Sequence, residues 1–247
     1  MRIALFIPCY VDQLFPQVGI ATLRVLEQQG VSVAVPSDQA CCGQPFVNAG
    51  SVRAATPLME SFTEAFSPYD AIVCPSGSCV SMIRNHYPEE LSKQIKIFEL
   101  CEFLHDELPR SRGTLPVFKH SFARRVALHP GCHGLRELGL GQPSEHGGVR
   151  APGKIETLLS AVPELQLIAP KRSDECCGFG GTFAIMEPEL SCAMGRSRLD
   201  DFAASGAEVI TSADMSCLMH LDGLLRREAR PLRVLHIAEI LAGGAEL

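Results

Sequence analysis

The sequence predicts an α/β fold: two similar Rossmann-like repeats with parallel sheets, related by a pseudo-two-fold. Three observations lead there. Short apolar runs alternate with helical text along the whole chain, the order of these elements recurs once, and the cysteines recur with it. Strand–helix alternation implies parallel strands with helices on the faces of the sheet.

In the first half, "RIALFIPCYV" is an apolar strand. A helix follows through "PQVGIATLRVLEQQG", with Gly30 as its stop. "VSVAVP" is a short β-branched strand, and Cys41-Cys42 comes after it in a Gly/Pro turn. "SVRAATPLMESFTEAF" has helical periodicity, and Pro57 is expected to start or kink a turn. "DAIVCPSGSC" is a buried strand ending in a turn, and "IKIFELCEFLHDEL" is a strand running into a helix.

The text from Pro109 turns polar and basic, with Pro and Gly, and reads as a linker. The expected domains are therefore 1–108 and 124–247, joined by 109–123. The order then repeats. "RRVALHPGCHG" is a strand, "GKIETLLSAV" a helix, and "LQLIAP" a strand leading to Cys176-Cys177-Gly178. "PELSCAMGRSRLDDFAASG" is a helix closed by Gly206, "AEVITSADMSC" a strand, and "LRVLHIAEILAGG" matches the strand–helix text that ends the first half.

Cys9 thus aligns with Cys132, Cys41-Cys42 with Cys176-Cys177, and Cys79 with Cys217. The first gap is 32 residues in one half and 44 in the other, and "GLGQPSEHGG" is the candidate insertion. Each aligned cysteine falls just after a predicted strand. Sites in open α/β sheets form beyond the carboxyl ends of strands. Three strand ends per half would bring four thiols to one crevice, where helix N-termini favour an anionic centre.

Composition excludes several classes. The 247 residues carry a formal charge of −6, which argues against a nucleic-acid binder. No apolar run approaches the roughly eighteen residues of a membrane span. The opening lacks the h-region and cleavage site of a signal peptide. It reads as a buried strand of a cytoplasmic protein, with membrane contact only through a partner. Eleven cysteines cannot all pair within the chain, and a reducing compartment disfavours disulfides. Metal binding or redox chemistry is the leading expectation.

Four soft thiolates suit zinc or an iron–sulfur cluster. Structural zinc is usually held by CxxC knuckles, and the chain has no CxxC. Adjacent cysteines are awkward for one small ion, because neighbouring side chains diverge; two irons of a cluster suit them better. Gly43, Gly178, Gly180 and Gly181 let backbone approach such a centre and donate N–H groups to its sulfurs. "GFGG" could also be read as a phosphate loop, but it lacks the lysine and the spacing of one.

The doubled pattern C…CCG…C resembles the cysteine-rich CCG domain, which occurs in heterodisulfide reductase, in the iron–sulfur component of glycolate oxidase and in the anaerobic glycerol-3-phosphate dehydrogenase. "HPGCHGLRELG", "DECCGFGGTFA", "SADMSCLMHLDGLLRR", "HIAEILA" and "CPSGSC" are closer to the lactate utilisation protein A family, over essentially the whole chain. The resemblance implies an iron–sulfur electron-transfer component of a complex that oxidises L-lactate to pyruvate. Its partners would be two sister proteins, one ferredoxin-like. The wider family often closes each repeat with CxxC; here the first of those positions is Ser76 or Asp214. Each half keeps four cysteines, enough for a 4Fe–4S cubane, and the five-thiolate noncubane clusters of heterodisulfide reductase are disfavoured. The metal ligands expected are Cys9, Cys41, Cys42 and Cys79, then Cys132, Cys176, Cys177 and Cys217. One or two clusters, or one cluster and one zinc, remain open, as do a zinc-stabilised assembly role, glycolate as substrate, and disulfide reduction.

Other residues have plainer readings. Asp214 is either an oxygen ligand, a hydrogen-bond partner of a cluster cysteine, or the N-cap of the helix after it, the cap being simpler. Cys101 and Cys192 read as buried hydrophobes, and Cys74 as a spare ligand or a core residue. His129 ends the strand before Cys132 and His133 follows it; either could be a ligand, but the plainer expectation is a histidine that hydrogen-bonds in the core or at its edge. His220 and His236 read as packing positions. No flavin or nicotinamide fingerprint and no nucleophile motif is present. The chain alone should pass electrons and not take hydride.

Overall fold

A computed structural model describes residues 2–147 and 151–244. The outer ends of the two expected domains, Met1 and 245–247, and the last residue of the candidate insertion, Gly148, lie outside these residues.

The first half runs β1 (Ile3–Leu5), α1 (Cys9–Leu14), α2 (Pro16–Gln28), β2 (Val33–Ala34), α3 (Gln44–Asn48), α4 (Val52–Phe66), β3 (Ala71–Cys74), α5 (Gly77–His86), α6 (Glu89–Ser92), β4 (Ile97–Glu99) and α7 (Leu100–Glu102). A π-helical turn, Phe103–Glu107, continues α7 into α8 (Leu108–Arg112), and 114–124 has no regular element. The second half runs β5 (Arg125–Leu128), α9 (Cys132–Arg136), α10 (Lys154–Ser160), β6 (Gln166–Ile168), α11 (Phe183–Met186), α12 (Pro188–Ala204), β7 (Val209–Ser212), α13 (Met215–Arg227), β8 (Arg233–His236) and α14 (Ile237–Ala242).

Each half builds one four-stranded parallel sheet, ordered β2-β1-β3-β4 and β6-β5-β7-β8. The registers match: Ile3 pairs with Ala71 in one as Val126 pairs with Val209 in the other. Every residue of β1, β3 and β7 is buried, as strands covered on both faces require. Gly30 and Gly206 follow the ends of α2 and α12 as the sequence suggests. Pro57 does not start a helix; it sits at the sixth position of α4, inside it. The carbonyl it cannot bond belongs to the exposed Arg53, where water can take the place of the missing donor.

The halves interlock. Helix α14 of the second half packs on α2 of the first, and α10 of the second packs on α7 of the first. Likewise α9 meets α5 and α13 meets α1. Exchanging the halves converts each contact of these pairs into the other, which is the signature of a pseudo-two-fold. On its axis Ser76 and Asp214 form an isolated antiparallel bridge. The larger apolar core crosses the seam, with Leu100 and Leu104 of one half in the same cluster as Ile155 and Leu158 of the other. Among the described residues no helix is long and apolar enough to cross a membrane.

Glu99, at the end of β4, is fully buried and caps α7: one carboxylate oxygen accepts from the N–H groups of Cys101 and Glu102 at 2.7 and 3.1 Å. The other oxygen has no partner. Burial pushes the carboxyl up to about 8 from an ordinary 4.5. Between those values the folded chain keeps a proton that the unfolded chain has released. The group therefore stabilises at low pH, and that contribution is lost as pH rises, by roughly 5 kcal/mol in all. Glu99→Gln should match wild type in urea denaturation near pH 5 and exceed it at pH 9; equal midpoints at pH 9 would refute this.

Candidate metal centre

Each expected ligand stands where a strand hands over to a helix. Cys9 and Cys132 are the first residues of α1 and α9, and Cys79 and Cys217 are the third residues of α5 and α13. Cys41-Cys42 and Cys176-Cys177 lie in the loops after β2 and β6. Because α1, α5, α9 and α13 are the helices that cross at the seam, the expected two crevices merge. All eight thiols line one cavity of about 510 Å³ between the halves. All eleven cysteines of the chain are unpaired.

Within each half the four thiols form a chain. Cys9 Sγ lies 3.8 Å from Cys41 Sγ, and Cys42 Sγ donates to Cys79 Sγ at 3.4 Å. Accepting from Cys42 and Cys9 lowers the Cys41 thiol to about 3. Cys79 is lowered too, by Cys42 first and Cys74 next, whereas Cys9 and Cys42, as donors to Cys41, are raised. The second half repeats the pattern, with Cys176 and Cys217 lowered and Cys132 and Cys177 raised through the same thiol–thiol bonds. Each set thus shares its protons along a chain of thiols, and a metal entering it would release those that remain.

Backbone donors complete the sets. Gly43 N–H points at Cys41 Sγ at 3.5 Å, Gly178 N–H at Cys176 Sγ at 3.4 Å, and Phe179 N–H at Cys177 Sγ at 3.4 Å. Gly43 and Gly178 make this turn with φ of +86° and +89°, which only glycine adopts without strain. Gly180 and Gly181 also have positive φ and border the cavity, but no hydrogen bond joins them to a sulfur. Buried and half-buried side chains hold the cysteine loops. The Gln39 amide accepts from Ile7 N–H at 2.7 Å and donates to the Leu5 carbonyl at 3.1 Å. Tyr87 donates to the Cys42 carbonyl at 3.2 Å. The buried Arg198 bonds the carbonyls of Arg172 and Ser173 and pairs with Asp201 at 2.9 Å. Soft donors, N–H groups aimed at sulfur and thiolates at helix N-termini fit a thiolate-bound metal or cluster.

Asp214 departs from its expected role. It stands at the N-cap of α13, but its side chain takes no backbone hydrogen bond there. The carboxylate reaches across the seam and accepts from Ser78 N–H at 2.8 Å, Ser78 Oγ at 2.8 Å and Ser76 Oγ at 3.0 Å. It caps the helix of the opposite half. Burial, then the Cys217 and Cys79 thiolates, push its carboxyl up to about 7. Ser76, its counterpart, caps its own α5 by accepting from Cys79 N–H at 3.3 Å.

His236 is also more than packing: its Nδ1 accepts from Ala238 N–H at 3.2 Å and caps α14, and burial pushes the ring down to about 4. His220 lies 3.3 Å from the Ser191 carbonyl, and His133 at the cavity edge bonds Glu137 at 3.0 Å. His129 is buried, and neither ring nitrogen reaches an oxygen or nitrogen partner. It lies against Cys177 and Cys217, all three ligand atoms being within 4.8 Å of one another. Cys74 is buried at the end of β3, and its thiol is raised by that burial first and by donating to Cys79 next. Cys101 is fully buried and Cys192 half-buried, and neither lines the cavity.

Residues 3–84 and again 126–222 match the CCG cysteine-rich domain. A lactate utilization protein A from Exiguobacterium sp. is 37% identical over 99% of this chain and 98% of its own length. Another from Oceanobacillus iheyensis is 36% identical over 98% and 96%. In fold, the whole chain resembles the crystal structure of a hypothetical protein from Helicobacter pylori, with a TM-score of 0.62 and 14% identity, and it spans 49% of that chain. The doubled cysteine domain and full-length kinship place this chain in the lactate utilization protein A family.

Proposed function

We propose that the chain is the iron–sulfur electron-transfer component of a system that oxidises L-lactate to pyruvate, working with two sister proteins, one ferredoxin-like. The observation that carries the reading is the set of eight thiols, four from each half, around one cavity between the halves. In the first half Cys9, Cys41, Cys42 and Cys79 would hold one centre; in the second, Cys132, Cys176, Cys177 and Cys217 would hold another. When bound, such a centre, a 4Fe–4S cluster on this reading, supplies reversible one-electron storage. The residues around it do the rest. Gly43, Gly178 and Phe179 aim N–H dipoles at the sulfurs and favour the thiolate form. The lactate-system relatives bring the substrate class to this chain.

Two measurements test the proposal. Protein purified without oxygen should be brown and carry iron and acid-labile sulfide; colourless, zinc-replete protein without sulfide would overturn it. Deleting the gene in a strain with no other lactate dehydrogenase should abolish growth on L-lactate and spare growth on glycolate. The reverse result would move the assignment to glycolate. A second reading, zinc in the second half, is favoured by His129 beside Cys177 and Cys217, and metal analysis separates the two.

A further inference from the structure

The halves repeat every cysteine of the cavity, but not the residue three places before Cys9 and Cys132. That residue is Phe6 in the first half and His129 in the second. The two stand at equivalent points: Phe6 N–H donates to the Val73 carbonyl at 2.9 Å, and His129 N–H to the Thr211 carbonyl at 2.7 Å. Both are buried, at 0% and 1% exposure. Phe6 packs edge-on against Phe62 and Phe66, and His129 edge-on against Phe202.

A phenyl ring needs nothing more from this site. An imidazole does, because a buried polar nitrogen without a partner is destabilising. Neither nitrogen of His129 reaches an oxygen or nitrogen partner, and the ring faces the Cys217 thiol. Its ligand nitrogen instead shares a 4.8 Å group with Cys177 Sγ and Cys217 Sγ. Nitrogen and sulfur donors around one tetrahedral ion stand about 3.5–3.8 Å apart at the usual bond lengths. Small side-chain rotations close that gap. No comparable histidine faces the first set, where Cys74 occupies the space beside Cys79.

We infer that His129 is a ligand of the second half's metal centre, beside Cys177 and Cys217, so that the two halves hold chemically unlike centres. The first is bound by thiolates alone and the second by thiolates and an imidazole. This rests on the reading of the second half as a metal centre. An imidazole brings no negative charge, and histidine ligation raises the potential of an iron–sulfur centre. With iron in both halves and His129 in place of one of the four thiolates, the second is the more readily reduced.

The test uses the full-length chain carrying Cys41→Ser and Cys79→Ser, purified without oxygen, which confines metal to the second half. X-ray absorption at the K-edge of the bound metal reads its donors in any oxidation state. Imidazole scattering is expected there, and at about half the weight in wild type if both halves are loaded. His129→Phe, which copies the first half, should remove the scattering and speed metal loss to a chelator by at least about tenfold. Bound metal with sulfur donors and no imidazole scattering would overturn the assignment, and that measurement needs no variant of His129. Scattering that persists in His129→Phe would overturn it in favour of His133. A second half that binds no metal at all in the wild-type chain would sink the metal-centre reading and this inference together.

Discussion

Replacing Cys177 with serine is expected to strip the second half of metal and leave the first half loaded. Cys177 is 2% exposed, donates within the thiol chain of its half, and takes the Phe179 N–H at 3.4 Å. A hydroxyl there is a harder and shorter donor than a thiolate, poorly matched to iron. The exchange removes little volume, so the fold should persist, with a loss of about 1–2 kcal/mol before any metal is counted. Metal and sulfide per chain should fall to about half when both halves are loaded, and lactate-dependent reduction by the reconstituted system should vanish. Cys42→Ser, its counterpart, should empty the first half instead. The shared cavity makes this pair of variants decisive: if either one removes all the metal, the eight thiols serve a single centre and not two.

Gly178→Ala should be the most damaging single methyl in the chain. Gly178 has φ +89°, and a Cβ on it would meet the Ser191 carbonyl oxygen at 2.6 Å and Met194 Cβ at 2.7 Å. The left-handed backbone costs an alanine about 1–2 kcal/mol. Forcing atoms into packed surroundings adds about 1–3 kcal/mol. The obstacle is partly backbone, held by Ser191 Oγ donating to the Gly178 carbonyl at 2.8 Å, so neither side yields easily. The loop must shift, and with it the N–H aimed at Cys176. Gly206→Ala is the control: its φ is +79° but nothing lies within 4 Å, leaving only the backbone cost. Denaturant midpoints of the two variants should differ clearly, with Gly178→Ala the lower and its metal content reduced. Equal midpoints would show that the loop gives way freely.

The plan of the molecule is legible without coordinates. Alternating apolar and helical text is set by local periodicity, and a cysteine at a strand's end inherits its place from the strand. Hence Cys9, Cys79, Cys132 and Cys217 fall just past the carboxyl ends of the central strands, as expected. How the halves meet is not legible in this way. One crevice per half becomes one cavity because α1, α5, α9 and α13 cross, and that depends on surfaces far apart in sequence. Asp214 shows the limit most sharply. Its local text is that of a cap, and Ser76 at the matching position does cap its own helix, yet Asp214 serves the other one. Pro57 departs from expectation for a different reason, since an exposed helix face tolerates a missing donor. His129 does carry a signal in the sequence. Aligning the repeats sets it opposite Phe6, and a polar ring in the place of a phenyl ring asks for a partner.

The seam between Ser76 and Asp214 is also a contact that a pair of identical subunits could not make. On a true two-fold axis a residue meets its own copy. Two aspartates there would bury two carboxylates side by side, and one would be held protonated. Two serines would leave the Ser78 N–H, now bound to the Asp214 carboxylate at 2.8 Å, without its charged acceptor. A carboxylate opposite a hydroxyl is open only to halves whose sequences differ. Because the two halves differ in sequence, each position on the pseudo-two-fold takes a partner unlike itself, here a carboxylate on one side and two hydroxyls and an N–H on the other.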